Sequence, residues 1–494
     1  MGAVLAQTEF LGYIARLNVE GAPQLTKILM TRLAMLAAWL FLAAAVLAEP
    51  IKMVRRDDKP MLPTLDGFYV PPKDWEKEKP GTVLKWRTIK PGFTQINKIN
   101  VKDAYQLLYR SNGVDENTPM ATVTTVLVPN KPRENKLVAM MPYQDSNYVG
   151  CAPSYMIQQG APVQNNSIQS LEELMWTSIL NDGWIMTVPD HEGPNSSFAI
   201  GPMAGHASLD AIRATLSFDK LKMDAKSPVV GTGYSGGAIA GGWAAQLHDS
   251  YASDINVAGW AIGGTPANMT EVTYKLDGGP FAGLSVAGLG GIVNTFPQAN
   301  EYVGSIVTKE GNIAMQYTRE HCMVDIIVNL RNTKVLNKTF SKTGSKILVS
   351  DQITPILDEL SLGRDKKLVP KAPVYMYHSK NDEVIPYKSA SNTAHFWCSN
   401  GGKVKFETFT GIEMGHVTTE LLNTPNVLSF IRSSMDGKKL DNCQWPSTGN
   451  PLWSPDVLGA KLTEVLNAVM NFWGAAIGRG DATLKEHIQQ GKDI

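Results

Sequence analysis

Apolar and polar residues along this chain follow two alternating patterns, one typical of strands and one of helices. Residues 103–130 alternate every second position, which predicts two antiparallel strands. Further strands are predicted by short apolar or alternating runs at 136–142, 183–188, 228–230, 257–262, 374–377 and 404–409. Helical spacing lies between these runs, at 171–180, 208–221, 238–247, 389–398 and 418–434. The alternation predicts an α/β fold with a mostly parallel sheet and helices on both faces.

The alternation breaks between residues 265 and 370. Gly-rich turns, apolar runs and helical stretches such as 355–362 follow there without a regular order. Because an insertion of this length is too long for a loop, we predict a helical cap, or lid, inserted into the core. The core then has two parts, 49–264 and 371–439. Its first residues, 49–91, are rich in Pro, Lys and Asp and are expected to form an extended strap.

Residues 440–494 are expected to form a C-terminal flap or amphipathic tail. Within them, residues 456–477 carry apolar side chains at helical spacing. That pattern fits a helix packed on the core, and it also fits a flap at a pocket or a surface that meets lipid.

The N-terminal region has the pattern of an export signal. Residues 30–48 form an apolar stretch with Arg32 near its start and small residues at its end, as in a secretory signal peptide. The stretch is short for a membrane span, and a signal anchor is the alternative. Residues 1–29 carry no strong pattern and form an uncertain extension, with Met30 as the expected start. We therefore expect a secreted, extracellular protein.

Cysteines and glycosylation sequons agree with export. The chain has four cysteines, and an even number in an oxidising compartment predicts two disulfides, for which three connectivities exist. Among these we favour Cys151–Cys322 and Cys398–Cys443, the second of which closes a local loop. Sequons of the form Asn-X-Ser/Thr begin at Asn165, Asn195, Asn268 and Asn337.

The composition argues against several classes of partner. The chain has 494 residues with 46 basic and 46 acidic side chains, and no block of Lys or Arg stands out, so nucleic acid is not expected as a partner. The eight His and four Cys residues are dispersed without metal-ligand spacing, so we expect no metal and no cofactor. No obligate protein partner is evident.

The stretch VVGTGYSGGAIAGG, at 229–242, carries the candidate chemistry. Gly233, Ser235 and Gly237 form a G-x-S-x-G pentad between a predicted strand and a predicted helix. Glycines beside the serine let the strand and the helix approach closely, so that the hydroxyl projects from a strained turn. The pentad in this context predicts Ser235 as a nucleophile.

A serine nucleophile needs a base, and the base needs an orienting carboxylate. On this fold the expected order is Ser, then Asp or Glu, then His, each after a core strand. Asp382 and His416 each follow a predicted strand in that order, which makes Ser235, Asp382 and His416 the candidate triad. Glu383 is the alternative carboxylate. His416 would act as the base, and Asp382 would hold its tautomer.

An oxyanion also needs preorganised hydrogen-bond donors. The amide of Gly236, directly after the nucleophile, is expected to be one of them. The second donor is expected in the loop after the strand at 136–142, and we assign it to the amide of Asp145.

Six motifs give the chain a specific resemblance, and they are PYQDSNYVGCAPSY at 142–155, VPDHEGPNSSFAIG at 188–201, SLDAIRA at 208–214, GYSGGAIAGGWAA at 233–245, HSKNDEVIPY at 378–387 and MGHVTTE at 414–420. With them the chain resembles the secreted fungal lipase family of the Candida antarctica lipase A type, which includes the secretory lipases of Candida and Malassezia. The resemblance covers about residues 60–445. It implies an α/β-hydrolase core with a helical lid, the triad and oxyanion pair assigned above, and the disulfide pairing that we favour. His191 departs from the family, which commonly has Tyr at this place in its motif, and the resemblance does not account for the long tail.

These observations predict extracellular hydrolysis of carboxylic esters, above all of acylglycerols at a water–lipid interface, through an acyl-enzyme on Ser235. A secreted carboxylesterase or an acyltransferase on smaller or polymeric esters would use the same triad. A serine peptidase is a further alternative. A non-catalytic secreted surface protein is another, which the intact Ser, Asp and His argue against.

Overall fold

A mixed sheet of ten strands organises the computed structural model, which describes residues 59–92, 100–133, 135–162, 169–411 and 414–449. The strands are β1 Val83–Thr88, β2 Asp103–Asn112, β3 Pro119–Val128, β4 Leu137–Met141, β5 Ile185–Pro189, β6 Val229–Tyr234, β7 Val257–Gly263, β8 Val374–Ser379, β9 Val404–Phe409 and β10 Ser447–Thr448. Their order across the sheet is β1-β2-β3-β5-β4-β6-β7-β8-β9-β10. The pairs among β1, β2, β3 and β5 are antiparallel, and all pairs from β5 and β4 to β9 and β10 are parallel.

Helices cover both faces of this sheet. They are α1 Pro153–Met156, α2 Gln169–Asn181, α3 Gly201–Leu216, α4 Gly236–Tyr251, α5 Met269–Leu276, α6 Ala282–Thr295, α7 Pro297–Ile306, α8 Lys309–Thr318, α9 Met323–Asn329, α10 Thr354–Glu359, α11 Tyr387–Ser399 and α12 His416–Met435. Apolar residues of α2 and α12 form one buried cluster with one face of the sheet, and those of α3, α4 and α11 form another with the opposite face. The predicted α/β fold with a mostly parallel sheet is confirmed.

The continuous apolar runs of the sequence come from strands that are buried on both faces. In β4, Leu137, Ala139 and Met141 belong to one cluster, whereas Val138 and Met140 belong to the other. Because both faces need apolar side chains, the period of two disappears from the sequence of this strand.

Local structure differs from the sequence pattern at two places. The strap expected at 49–91 contains a strand, β1, which pairs with β2 at the edge of the sheet. The residues of this edge strand are half-buried or exposed, so its sequence VLKWRT shows little apolar pattern. The helix expected at 208–221 begins instead at Gly201 and ends at Leu216, with Pro202 in its first turn, where its missing amide hydrogen costs nothing.

The chain between β7 and β8 is built from the helices α5 to α10 and a 3-10 helix at Gly344–Val349. Val286, Leu289 and Ile292 of α6 share one buried cluster with the sheet, so this segment packs on the core. Residues 265–370 keep the name cap. None of the helices within the described residues is long and apolar enough to cross a bilayer.

Several predictions lie outside the described residues. These are the extension 1–29, the signal peptide 30–48, the sequon at Asn165 and the apolar pattern at 456–477. Of the predicted tail, the structure describes residues 440–449, which contain β10.

Candidate active site

The carboxyl ends of the parallel strands meet at one edge of the sheet, and four candidate residues lie there. Asp145 follows β4, Ser235 follows β6, Asp382 follows β8 and His416 follows β9. The sheet therefore brings together residues that are far apart in sequence.

Ser235 occupies a sharp turn between β6 and α4. Its backbone has φ 50° and ψ −120°, a conformation that L residues rarely adopt and that the surrounding packing must stabilise. A Cβ atom on Gly233 would approach the carbonyl oxygen of Gly237 to 2.5 Å, and one on Gly237 would overlap the carbonyl oxygen of Met141. Both glycines of the pentad are therefore required by close backbone contacts.

Ser235, His416 and Asp382 form a continuous chain of hydrogen bonds. The Oγ atom of Ser235 lies 2.9 Å from Nε2 of His416. The Nδ1 atom of His416 lies 2.7 Å from Oδ2 of Asp382. An ionised carboxylate only accepts hydrogen bonds, so Nδ1 carries the hydrogen and Nε2 is free to accept the serine proton. The three residues thus have the relative positions of a nucleophile, a base and an orienting acid.

Asp382 is buried, and its charge is well satisfied. Its Oδ1 accepts hydrogen bonds from the amides of Val384 at 2.9 Å and Ile385 at 2.7 Å. Nε2 of His378 lies 3.2 Å from Oδ2. Burial alone would raise the pKa of Asp382, but His416 and His378 outweigh it and lower this pKa well below its ordinary value. Asp382 is therefore a stable anion beside the imidazole.

The same neighbours act on His416. Burial would lower the pKa of this imidazole, but the adjacent Asp382 carboxylate outweighs it and raises the pKa above its ordinary value. His416 is the first residue of α12. Its amide donates to Oε2 of Glu383 at 2.9 Å, and its carbonyl accepts from the hydroxyl of Tyr234 at 2.6 Å. Glu383, the alternative carboxylate, thus contacts the backbone of His416, while Asp382 contacts its ring.

The loop after β4 brings Asp145 beside Gly236, as expected. The group of Asp145 that faces Gly236 is its carboxyl group, however, and not its backbone amide. The Asp145 amide donates to Oε1 of Glu192 at 2.9 Å. Our expectation that this amide faces the oxyanion is therefore wrong, because the amide already donates its hydrogen bond to the buried Glu192 side chain. The backbone of Asp145 has φ 51°, which turns the side chain toward Gly236, where a Cβ atom would overlap Oδ1 of Asp145.

The carboxyl group of Asp145 is buried in an unusual environment. Its Oδ1 has no hydrogen-bond partner among the described residues. Burial raises the pKa of Asp145 to about 7, and the nearby His416 limits the rise. A substantial fraction of this carboxyl group is therefore protonated near neutral pH, and a protonated carboxyl can donate a hydrogen bond.

The oxyanion loop, defined here as residues 142–151, is fixed to the cap. The disulfide Cys151–Cys322 joins its end to the residue before α9, with the Cα atoms 5.6 Å apart. The Ser146 hydroxyl donates to the carbonyl of His321 at 2.7 Å. The Asn147 amide donates to a carbonyl at the end of α8 at 3.1 Å. The cap and the oxyanion loop therefore form one connected unit at this point.

Sequence reasoning missed three residues that support the site. Glu192 holds the Asp145 amide, and His378 contacts the buried Asp382. His191, which was noticed only as a departure from the family, lies with Nε2 2.6 Å from the carbonyl oxygen of Pro142 at the start of the oxyanion loop. His191 and Glu192 stand side by side in the PDHEG motif, and two adjacent ionisable residues shortly after a predicted strand were the available signal.

An apolar cavity of about 790 Å³, part of it open to solvent, begins at the triad. Ser235, Gly236 and Asp145 lie at its polar end. The remaining lining is mostly aliphatic and comes mainly from the cap, and it includes Ile239, Met269, Leu276, Leu289, Val335, Ile347, Leu348 and Leu357. Such walls fit a hydrocarbon chain and disfavour charged groups, because a charge there would lose its hydration.

The other predicted residues are placed as follows. The second disulfide, Cys398–Cys443, joins the end of α11 to the segment before β10. Asn195 and Asn337 are exposed. Asn268 is half-buried and caps α5, accepting a hydrogen bond from the Glu271 amide. Within the described ranges, no group of three or more His, Cys, Asp and Glu residues is arranged to hold a metal ion.

A mostly parallel sheet with a serine in a strained turn after one central strand, and an acid and a histidine after two later strands, defines the α/β-hydrolase class. Residues 157–442 match the model of a family described as secretory lipase. A secreted triacylglycerol lipase of Malassezia globosa is 58% identical over 436 residues, which cover 88% of this chain and 92% of that protein. A secreted triacylglycerol lipase of Malassezia restricta is 41% identical over 454 residues, which cover 92% and 96%.

Among solved structures, Candida antarctica lipase A in its closed state has a TM-score of 0.74 at 27% identity, covering 83% of this chain and 96% of that one. The chain therefore belongs to the secretory lipase family. The resemblance inferred from six motifs is confirmed, and so is the prediction of an enzyme of the lipase class.

Proposed function

We propose that this protein is a secreted lipase that hydrolyses acylglycerol esters at a water–lipid interface through an acyl-enzyme on Ser235. The observation that carries the proposal is the hydrogen-bonded chain Ser235–His416–Asp382 at the polar end of an apolar cavity. The names of the Malassezia relatives, secreted triacylglycerol lipases, support the substrate class and the secretion.

The geometry gives each triad residue a role. The Ser235 Oγ attacks the ester carbonyl carbon while Nε2 of His416 takes its proton, and Asp382 stabilises the imidazolium that forms. The tetrahedral intermediate then expels the alcohol, which receives the proton from Nε2 and leaves the acyl group on Ser235. A water molecule then attacks the acyl-enzyme carbonyl while His416 takes its proton. The tetrahedral intermediate that forms expels the Ser235 oxygen, which His416 protonates again, and the fatty acid leaves.

The oxyanion receives two donors in this proposal. One is the amide of Gly236 at the first turn of α4, where an amide has no partner within the helix. The other is the protonated carboxyl of Asp145, whose raised pKa and partner-free Oδ1 support a donor role. A neutral donor in a buried site stabilises developing negative charge, whereas an ionised Asp145 would repel it.

The cavity is assigned to the acyl chain, and the cap to a lid that keeps water from it. Cap residues supply much of the lining, including Met269 and Leu357. An acyl chain held there places its ester carbonyl at Ser235, since that residue lies at the cavity's polar end.

Secretion and glycosylation belong to the same proposal. The signal peptide at 30–48 is proposed as the export signal. Asn195 and Asn337 are proposed as glycan acceptors because their side chains are exposed. Asn268 remains a proposed acceptor by its sequon, although its carbonyl oxygen caps α5.

The test is ester hydrolysis by the secreted chain across acyl chains from short to long, below and above the solubility limit of each substrate. We expect activity on long-chain acylglycerols, and a loss of about 10⁶-fold in kcat in Ser235→Ala. Activity confined to short, dissolved esters would make the protein an esterase instead. Full activity in Ser235→Ala would show that the nucleophile is elsewhere.

A further inference from the structure

A group of exposed cations lies on the outside of the cap. Residues 331–346, RNTKVLNKTFSKTGSK, contain Arg331, Lys334, Lys338, Lys342 and Lys346 and no Asp or Glu. All five side chains are exposed. The chain as a whole has equal numbers of basic and acidic residues, so this excess of positive charge is local. We call residues 331–350 the basic segment.

Backbone turns fold the basic segment into a compact surface. The Phe340 amide donates to the backbone carbonyl of Asn337 at 3.0 Å, and the Gly344 amide donates to the backbone carbonyl of Ser341 at 3.0 Å. A Cβ atom built on Gly344 would lie 3.6 Å from Cγ of Lys338, although these residues are six positions apart. The cations are therefore concentrated in space and are not strung along an extended loop.

These charges are not neutralised within the described part of the chain. None of the five cations lies within 4.0 Å of a described carboxylate oxygen. Lys342 donates to the carbonyl of Ser305 at 2.9 Å, which leaves its charge unpaired. Asp277, an acid beside the segment, accepts from the Leu336 amide at 3.0 Å. The surface thus presents positive charge to whatever approaches it.

The same segment forms part of the wall of the acyl cavity. Val335, Ile347 and Leu348 line the cavity from inside. Val349, the next residue, is 64% exposed, and Tyr274, next to the lining residue Thr273, is 52% exposed. Large apolar side chains, one of them within the basic segment, therefore stand in solvent next in sequence to residues that line the cavity.

We propose that the basic segment docks the enzyme on a lipid surface that carries anionic groups. Cations near such a surface are attracted over about 8 Å at physiological ionic strength, and exposed apolar side chains add contact with the lipid. Because the segment forms a cavity wall, docking there brings the cavity close to the lipid. The inference rests on the proposed function in one respect. The fatty acid that hydrolysis releases is ionised, and it is therefore itself an anionic group at the lipid surface. Hydrolysis would then strengthen adsorption.

A binding experiment with Ser235→Ala tests this without consuming the lipid. The probes are phosphatidylcholine vesicles alone and the same vesicles with 20 mol% phosphatidylglycerol or oleate. We expect the full-length chain to partition at least about tenfold more strongly onto either anionic vesicle, with the preference lost in 1 M salt. The quadruple variant Lys334→Gln, Lys338→Gln, Lys342→Gln and Lys346→Gln, made in the same background, should lose the preference.

The matched control removes the same charge outside the cap, with Lys73→Gln, Lys79→Gln, Lys131→Gln and Lys403→Gln, all of which are exposed positions. The control should keep the preference for anionic vesicles. Equal partition of the Ser235→Ala protein onto neutral and anionic vesicles would overturn the proposal. An equal loss in the control would overturn it too, because net charge alone would then explain binding. Tighter binding to soluble heparin than to vesicles would assign the surface to a polyanion instead.

The sequon at Asn337 lies within the basic segment, so both proteins are treated with an endoglycosidase before the assay. The vesicle result does not depend on hydrolysis. If wild-type protein fails to hydrolyse acylglycerols while the basic segment still binds anionic vesicles, the proposed function fails and the docking surface stands.

Discussion

The backbone amide of Asp145, in the oxyanion loop, donates a hydrogen bond of 2.9 Å to Oε1 of Glu192, and both residues are buried. This bond removes the amide from the reaction centre and fixes the backbone of Asp145 at φ 51°. With the backbone held, the carboxyl group of Asp145 lies beside Gly236. Burial raises the pKa of Glu192 well above its ordinary value, so a neutral side chain can fill this role.

Glu192 is predicted to act as a positioning residue through its acceptor oxygen. Glu192→Gln keeps an acceptor of the same shape and should retain kcat within about threefold. Glu192→Ala leaves the Asp145 amide buried without a partner, which costs about 1–3 kcal/mol, and should lower kcat at least about tenfold. Steady-state kinetics on a soluble short-chain ester and urea unfolding measure both effects. A loss of kcat in Glu192→Gln as large as that in Glu192→Ala would contradict this role.

Asp145 is predicted to give the pH profile its alkaline limb. Its pKa is raised to about 7 by burial, so the protonated donor is present below that pH and is lost as pH rises through it. The acid limb comes from His416, which must be neutral to accept the serine proton. The kcat/KM of the wild type should therefore fall above about pH 7.

The variant Asp145→Asn tests whether Asp145 acts as a protonated donor or as an anion. Asparagine tolerates the positive φ of this position, and its amide donates at every pH. We expect kcat/KM to persist above pH 7 in this variant, while Asp145→Ala should lose about 10²–10³ in kcat. An unchanged alkaline limb in Asp145→Asn, or a loss as large as that in Asp145→Ala, would count against a protonated donor.

The disulfide Cys151–Cys322 is predicted to support catalysis as well as stability. Its sequence separation of 171 residues corresponds to a loop-entropy contribution of about 5 kcal/mol. The double Ser variant at these positions frees the oxyanion loop from the cap, so kcat should fall several-fold at a temperature where the protein is still folded. The double Ser variant of Cys398–Cys443, with a separation of 45 residues, is the control, and it should lose stability but keep kcat. A normal kcat in both variants would refute the coupling.

His191 is predicted to make stability depend on pH between about 4 and 6.5. Burial lowers its pKa in the folded protein to about 4, from an ordinary value of 6.5. The unfolded chain therefore binds a proton first, and stability that is complete above pH 6.5 falls by roughly 3 kcal/mol as pH drops to 4. His191→Gln, which can still donate to Pro142 but does not titrate, should lack this term. The free energies of unfolding of the two proteins are compared in urea from pH 4 to 7.

Only the difference between the two proteins is used in that comparison. Buried acids with a raised pKa, such as Asp190, contribute with the opposite sign, because they lose stability as pH rises. The prediction is refuted if the free energies of unfolding of the wild type and of His191→Gln change in parallel with pH across this range.

Much of the local chemistry follows from residue order. The pentad around Ser235 predicts a strand, a tight turn and a helix, because only small residues permit the backbone contacts that the turn requires. Ser235, Asp382 and His416 each follow a strand of the parallel part of the sheet, which places them at one sheet edge because parallel strands align their carboxyl ends. Helical and strand periods gave the core elements in the same way.

Which polar atoms face the reaction depends on long-range packing. Asp145 and Glu192 are 47 positions apart, and nothing in the period or spacing of the chain shows that one holds the amide of the other. The pairing of β1 with β2 was equally hidden, because a half-exposed edge strand keeps little apolar alternation. Local pattern follows from backbone geometry and burial, whereas hydrogen-bond direction and pKa depend on which distant groups packing brings within about 3 Å.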